Sequence, residues 1–208
     1  MLSHFTIGRR RFLALAAGGM FLVGAQGWMA GAQADDQAVL NFVNTLSNTT
    51  LQELANPQSD AERVAKLKPI LEKYFDMPAI AKYVLGGYWR KASPDQQQAF
   101  LSAFTDYISV SYGKRFGQYS GHRMEIKRVH DDGDGHATAF TIVQVEGQDP
   151  TRVDWVIDTV NNSFHILDLR VEGLSLSDTH RQEFASVIQN NGGNVQALID
   201  LLHQKAKL

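Results

Sequence analysis

The chain has 208 residues, no cysteine, and 20 Lys+Arg against 22 Asp+Glu. Without cysteine no disulfide can hold the fold, whatever compartment it occupies. The balance of charge lacks the basic stripe of a nucleic-acid binder, and it does not favour spontaneous adhesion to anionic lipid surfaces.

The first 34 residues read as an export signal. Arg9, Arg10 and Arg11 form a positive head, an apolar run from Phe12 to Ala25 follows, and Ala32-Gln33-Ala34 offers an A-x-A cleavage site before Asp35. The run is shorter than the roughly 20 residues a bilayer span needs. Arg9-Arg10-Arg11-Phe12-Leu13 also suits a twin-arginine signal, R-R-x-F-L, although Gly8 stands where Ser or Thr is usual, so twin-arginine and general secretion both stay open. A lipid-anchored lipoprotein is excluded because no cysteine follows the apolar run. Cleavage leaves 174 residues and removes three arginines and no acid, so 17 basic side chains face 22 acidic ones and the net charge is −5. Residues 35–208 suit a single domain, able to bury roughly 70% of its unfolded surface.

Helical spacing predicts a first helix over Ala38–Leu54, with Phe42, Val43, Leu46 and Leu54 recurring. Pro57 marks a break and Asp60 is the expected cap of a second helix, which carries Val64, Leu67, Leu71 and Phe75 on one face. Asp76 and Pro78 open a shorter helix, Met77–Leu85, stopped by Gly86-Gly87. Ser93-Pro94 opens the longest one, along which Phe100, Phe104, Tyr107, Ile108, Tyr112, Phe116 and Tyr119 repeat at three- and four-residue steps.

After Gly121 the period falls to two. Met124, Ile126 and Arg128 alternate with Glu125, Lys127 and Val129. Further strands are expected over His136–Glu146, Thr151–Val160 and Ser163–Glu172, split by Asp-Gly, Gly-Gln-Asp-Pro and Asn-Asn turns. Val153, Trp155 and Ile157 oppose Asp154 and Asp158, giving that strand a dry and a wet face. Asp178 is the expected cap of a helix to about Ile188, and Asn194 that of a last helix over Val195–Gln204. The expected fold is therefore α+β: a curved antiparallel four-stranded sheet, an NTF2/cystatin-like roll, packed on the long helix, plus a helical lobe.

Most apparent motifs dissolve on inspection. His130-Asp131-Asp132-Gly133-Asp134-Gly135-His136 lacks the distal glutamate of an EF-hand and reads as a hairpin. Glu172-Gly173-Leu174-Ser175 is no nucleophile elbow, since the glycine needed two residues after the serine is missing; Gly173 reads as a turn and Ser175 as a backbone partner. Asp168 and Arg181 suit an ion pair. His122, His130, His136, His165, His180 and His203 show no metal-ligand spacing. No catalytic residue, metal or cofactor is expected. Gly86-Gly87-Tyr88-Trp89-Arg90 reads either as a helix stop with a buried Trp or as a flexible mouth where Arg90 meets a phosphate.

Three stretches together resemble one family. They are Phe75-Asp76 with Ile80-Ala81-Lys82, Val84-Leu85-Gly86, Trp89-Arg90, Ser93, Gln97, Phe100, Phe104 and Tyr112; Asp168 with Val171-Glu172-Gly173-Leu174-Ser175-Leu176; and Arg181 with Phe184. In order and spacing, from about Val39 to Leu202, they are similar to the MlaC or toluene-tolerance proteins, which include the hopanoid-linked HpnM group. Phe164-His165 departs from the family's frequent Trp and basic residue, and His180 from its frequent Tyr.

The resemblance implies a monomeric periplasmic carrier of a phospholipid or hopanoid-type lipid, bound as cargo and not as a cofactor. Its implied partners are an inner-membrane MCE-domain protein with an ABC transporter and an outer-membrane lipoprotein–porin complex, with no role for nucleic acid. Such cargo is demanding: two chains of about 16 carbons hide on the order of 25 kcal/mol of hydrocarbon from water, at about 0.8 per methylene. Helix spacing and strand parity direct Leu67, Leu71, Phe75, Ile80, Val84, Leu85, Trp89, Phe100, Phe104, Ile108 and Tyr112, with Val143, Val153, Trp155, Ile157, Ile166 and Leu169, towards the interior. Periodicity does not separate a filled core from a hollow one; the resemblance implies the hollow, and under the mouth reading of its loop Arg90 is the candidate for the head group. An isomerase or dehydratase on the same roll, using Asp158 or His165, and a ligand-free envelope interaction module are the alternatives.

Overall fold

Capping chemistry sets most helix ends. The computed structural model describes residues 36–54, 59–116, 123–144, 149–160 and 163–207. The export signal, Pro57, Tyr119, Gly121, His122, the side chain of Phe116 and the Asn161-Asn162 turn lie outside those residues, as does part of the Gly-Gln-Asp-Pro turn.

Helix α1 spans Asp36–Leu54 and α2 Asp60–Tyr74. Ser59, one residue before the expected Asp60, caps α2: its hydroxyl accepts the Glu62 N–H. Pro69 lies within α2 and supplies no N–H, yet Leu67, Ile70 and Leu71 around it are all buried. Helix α3 spans Met77–Leu85, with Asp76 as cap through the Ala79 N–H and with Gly86 at φ +56° after its last turn. Asp76 also donates its own N–H to the Ile166 carbonyl at 3.0 Å, so one residue starts α3 and pins it to the sheet. A single 3₁₀ turn, Gly86–Tyr88, leads towards α4, Pro94–Phe116. Ser93 and Gln96 form a reciprocal capping box at its start, with bonds of 3.1 and 3.2 Å.

Among the described residues the sheet has five strands, not four, in the order β1 (Arg123–Gly133), β2 (His136–Gln144), β3 (Thr151–Val160), β4 (Ser163–Val171) and β5 (Leu174–Ser175), all antiparallel. The β1–β2 turn is Asp134-Gly135 with both φ positive, as a type I′ hairpin requires. Glu172-Gly173, again both at positive φ, folds β5 back on β4 before α5, Leu176–Asn190, begins. Ser175 caps α5 by accepting the Asp178 N–H, so the expected cap at Asp178 falls inside the first turn. Asn194 caps α6, Val195–Lys205.

A bulge corrects the expected parity in β1, and another in β4 brings Ile166 and Leu169, three residues apart, to one face. Lys127 is extra between Ile126 and Arg128, so Val129 joins Met124 and Ile126 on the core face while Arg128 turns outward. Leu167 is extra in β4, opposite the Val156–Ile157 step. On the outer face the Arg128 guanidinium lies 3.9 Å from the Phe140 ring centroid, and Arg152 grips Asp154 with bonds of 2.9 and 2.5 Å. That pairing accompanies the burial of Asp154, which is only 1% exposed despite its outward direction.

The apolar interior falls into two clusters. Val39, Val43 and Leu46 of α1, with Ile70, cover Ala137, Ala139, Ile157 and Ile166 of the sheet. The second cluster is helical: Leu67, Leu71, Ile80, Val84, Leu85, Phe100 and Phe104 pack with Phe184, Ile188 and α6. Phe75 touches both. The long helix α4 packs chiefly with α2, α6 and α3, while α1 lies on β1 and β2, and α2, α3 and α5 meet β4. The sheet is thus covered mainly by the shorter helices, and the aromatic stripe of α4 belongs to the lobe. Its rings interlock there: Phe100 stacks on Phe104 at 5.8 Å, and Phe184 meets both edge-on.

Candidate functional site

The core face of the sheet is unevenly covered. Ala137, Ala139, Ile157 and Ile166 are at most 1% exposed. Further along the same face, Met124 pairs with Val143, Val153 lies between Thr141 and Val171, and Trp155 pairs with Leu169. Of these, Met124, Val143, Val153, Trp155, Leu169 and Val171 all remain half-buried, and Val143, Val153 and Val171 join neither cluster. The Trp155 indole N–H is satisfied by the Thr141 hydroxyl at 3.1 Å, leaving its ring to act as apolar surface. Among the α4 residues, Tyr107, Ile108 and Tyr112 are likewise half-buried at the margin of the helical cluster.

The sequence-predicted lining residues divide accordingly. Leu67, Leu71, Ile80, Val84, Leu85, Phe100 and Phe104 sit within the helical cluster, and Trp89, Ile108 and Tyr112 at its edge. Ile157 and Ile166 are fully buried against α1 and its neighbours, with Trp155 and Leu169 partly buried beside them. Val143 and Val153 occupy the half-covered strip. Parity alone missed Met124 and Val171, although their alternation with Glu125 and Arg170 carried the signal.

Arg90 lies in a groove of about 480 Å³ on the helical lobe, together with Lys82, Arg181, Tyr83, Gly86, Gly87, Trp89 and Ala79. Among the described residues three cations and no acid line it. The Arg181 guanidinium stands 4.8 Å from the Tyr83 ring centroid. Tyr83 is held by donating its hydroxyl to Asp178 at 2.5 Å, a bond that raises the phenol pKa and keeps it protonated. Arg181 also packs on the bare face of Gly86, where a Cβ would come within 3.3 Å of Nε.

The expected Asp168–Arg181 pair is absent. Asp168 instead accepts the Ser177 N–H at the start of α5 and lies 4.0 Å from Arg170. His130-to-His136 is the β1–β2 hairpin, in which Asp131 accepts the Gly133 N–H and Asp132 accepts the Thr138 hydroxyl. Asp158 and His165, the candidates for acid–base chemistry, stand opposite each other on β3 and β4 on the outer face, away from the apolar strip, and the Asp158 carboxylate lies 3.4 Å from His136 Nδ1. His180 is buried among Phe104, Tyr107, Tyr112 and Phe184, and burial lowers its pKa. Its Nε2 lies 3.3 Å from the Tyr112 hydroxyl; Glu183 comes within 3.4 Å of Nδ1 without hydrogen-bond geometry. No helix among the described residues is long and apolar enough to cross a membrane.

Comparison with known proteins places this arrangement. The solved structure of a phospholipid-binding protein from Ralstonia solanacearum, in complex with a phospholipid, shares the fold with a TM-score of 0.71 at 23% identity, over 83% of this chain and 97% of that one. Toluene tolerance protein ttg2D of Pseudomonas putida is 24% identical over 135 residues, which is 64% of this chain and 63% of the relative. The intermembrane phospholipid transport system binding protein MlaC of Haemophilus influenzae is 21% identical over 137 residues, with the same two shares. The matched stretch thus spans under two thirds of either relative's length. The family described as MlaC protein matches residues 44–204, well over half of the sequence, and the chain belongs to that family.

Proposed function

We propose that this protein is a periplasmic carrier that shields the acyl chains of a phospholipid against the half-covered apolar strip on the core face of its sheet. That strip is the observation that carries the reading. A folded monomer gains by covering Val143, Val153 and Val171, and here its own helices stop short of doing so. Hydrocarbon would supply the missing cover. The names of the relatives and the phospholipid held by the Ralstonia protein support the choice of ligand. Hopanoid-type lipid remains within the same chemistry, because the strip recognises hydrocarbon without specifying its shape.

A carrier of this kind binds and releases without a covalent step. It would receive lipid from one membrane complex and surrender it to another, with an outer-membrane lipoprotein–porin complex and an inner-membrane MCE-domain protein with its ABC transporter as the proposed partners. The transporter would supply the energy. An isomerase or dehydratase on this scaffold would need an acid–base pair facing the ligand, and Asp158 and His165 face the other way. The test is direct: the protein, exported and purified without detergent, is extracted with organic solvent and the extract is analysed by mass spectrometry. Stoichiometric phospholipid is the expected result; an empty extract from folded protein would contradict the carrier reading.

A further inference from the structure

The groove on the helical lobe carries an assignment of its own. Its cations come from three places: Lys82 from α3, Arg90 from the segment after the 3₁₀ turn, and Arg181 from α5. Among the described residues none of the three has an acidic oxygen within 4.0 Å. Asp178, one turn before Arg181, is engaged by Tyr83 instead. Three like charges converging on one concavity repel each other, and in a chain richer in acid than in base such a concentration calls for an anion to relieve it.

Arg181 is also held in place in advance. The Tyr83 ring lies on one side and the bare Gly86 backbone against Nε, so its planar fork loses little freedom on gripping an oxyanion. A guanidinium fork matches phosphate oxygens two at a time, and Lys82 adds a point charge. The volume of about 480 Å³ suits a small molecule. Trp89 and Ala79 give it an apolar wall.

We infer that this groove binds a phosphate ester, with Arg181 and Arg90 gripping the phosphate oxygens and Lys82 completing the charge. The phosphate can belong to a lipid head group or to a free ester such as glycerol phosphate. Only the first of these sources rests on the carrier reading.

The experiment is calorimetric titration of the lipid-stripped protein with sn-glycerol 3-phosphate, alongside Arg181→Gln, Arg90→Gln, Lys82→Gln and the charge-conserving Arg181→Lys. Saturable one-to-one binding is expected, weakening with salt. It should fall about tenfold or more in each arginine-to-glutamine variant and less in Arg181→Lys. Thermal melts check that each variant is folded; Lys82→Gln, on an exposed position, keeps the test valid if Arg181→Gln is not. Absence of saturable binding by the unmodified protein, or binding that every folded variant retains in full, would overturn the assignment. Repeating the titration on protein loaded with phosphatidylglycerol separates the sources. Lost binding places the lipid head group in the groove, and retained binding makes it a site for free esters. Failure of the carrier reading shows elsewhere, as a protein that takes up no lipid at all.

Discussion

Replacing Gly113 with alanine sets two effects against each other. Gly113 is buried in α4 where it crosses α2, and a Cβ there would lie 2.9 Å from Val64 Cγ2, 3.2 Å from Val64 Cα and 3.3 Å from Val64 N. In a helix interior alanine is favoured over glycine by about 0.8–1.0 kcal/mol, which by itself would stabilise the fold. Carbon atoms prefer about 3.5–4.0 Å, however, and two of the three neighbours are backbone that cannot rotate aside. The helices would have to part, and overpacking of this kind costs about 1–3 kcal/mol. The net expectation is a loss of roughly 1 kcal/mol, a melting temperature about 2–4 °C lower for a domain of this size. A thermal melt followed by circular dichroism reads it. Adding Val64→Ala removes the nearest atom, so the double variant should be more stable than the sum of the single effects. A higher melting temperature for Gly113→Ala alone would refute the close α2–α4 approach.

Other consequences follow from the same packing. His180 is held below its ordinary value of 6.5 by burial, so the unfolded chain takes up its proton first as pH falls. Stability should be level above about pH 6.5 and decline below it, continuing down to the lowered folded value. In denaturant titrations across pH, His180→Phe should flatten that decline; an unchanged slope would remove His180 as its source. Asp168→Ala deprives the α5 start of the acceptor for Ser177 N–H and should cost about 1–2 kcal/mol by urea unfolding. Val153→Trp, placed on the half-covered strip, should reduce lipid loading with little loss of stability. Ile157→Trp, in a filled site with no exposure, should instead destabilise by about 1–3 kcal/mol. Equal loading by Val153→Trp and the unmodified protein would mean that the chains lie elsewhere.

Local chemistry was the legible part of this fold. Asp76, Pro78 and Gly86 bound α3 at the residues where their capping and backbone preferences put it. Asp134-Gly135 does the same for the first hairpin. The misses arise where two neighbours suit one role or where parity breaks. Ser59 and Asp60 are both able caps, and Ser175 precedes Asp178, so sequence alone chose the wrong member of each pair. Lys127 looks like an ordinary alternating residue, because a bulge leaves no local mark when the extra residue is polar. The two residues of β5 are too few for a period.

The site was legible in composition but not in assembly. Helical spacing showed that Phe100 and Phe104 share a face; it did not show that Phe184 fills the space beside them. Nor does any local pattern bring Arg181 into one groove with Arg90, since that depends on how α5 packs on α3. Ile157 and Val153 carry the same parity on one strand, and only the placement of α1 makes one core and the other open.

Trp155 offers the closest probe of where the hydrocarbon lies, because its ring stands within the half-covered row and its N–H is already satisfied. With Trp28 and Trp89 replaced by phenylalanine, it becomes the sole tryptophan of the chain. Loading that variant with a phospholipid brominated along its acyl chains should quench the Trp155 emission, relative to the same lipid without bromine. Confirmed lipid occupancy with undiminished emission would contradict the central claim, since the chains would then lie away from the sheet.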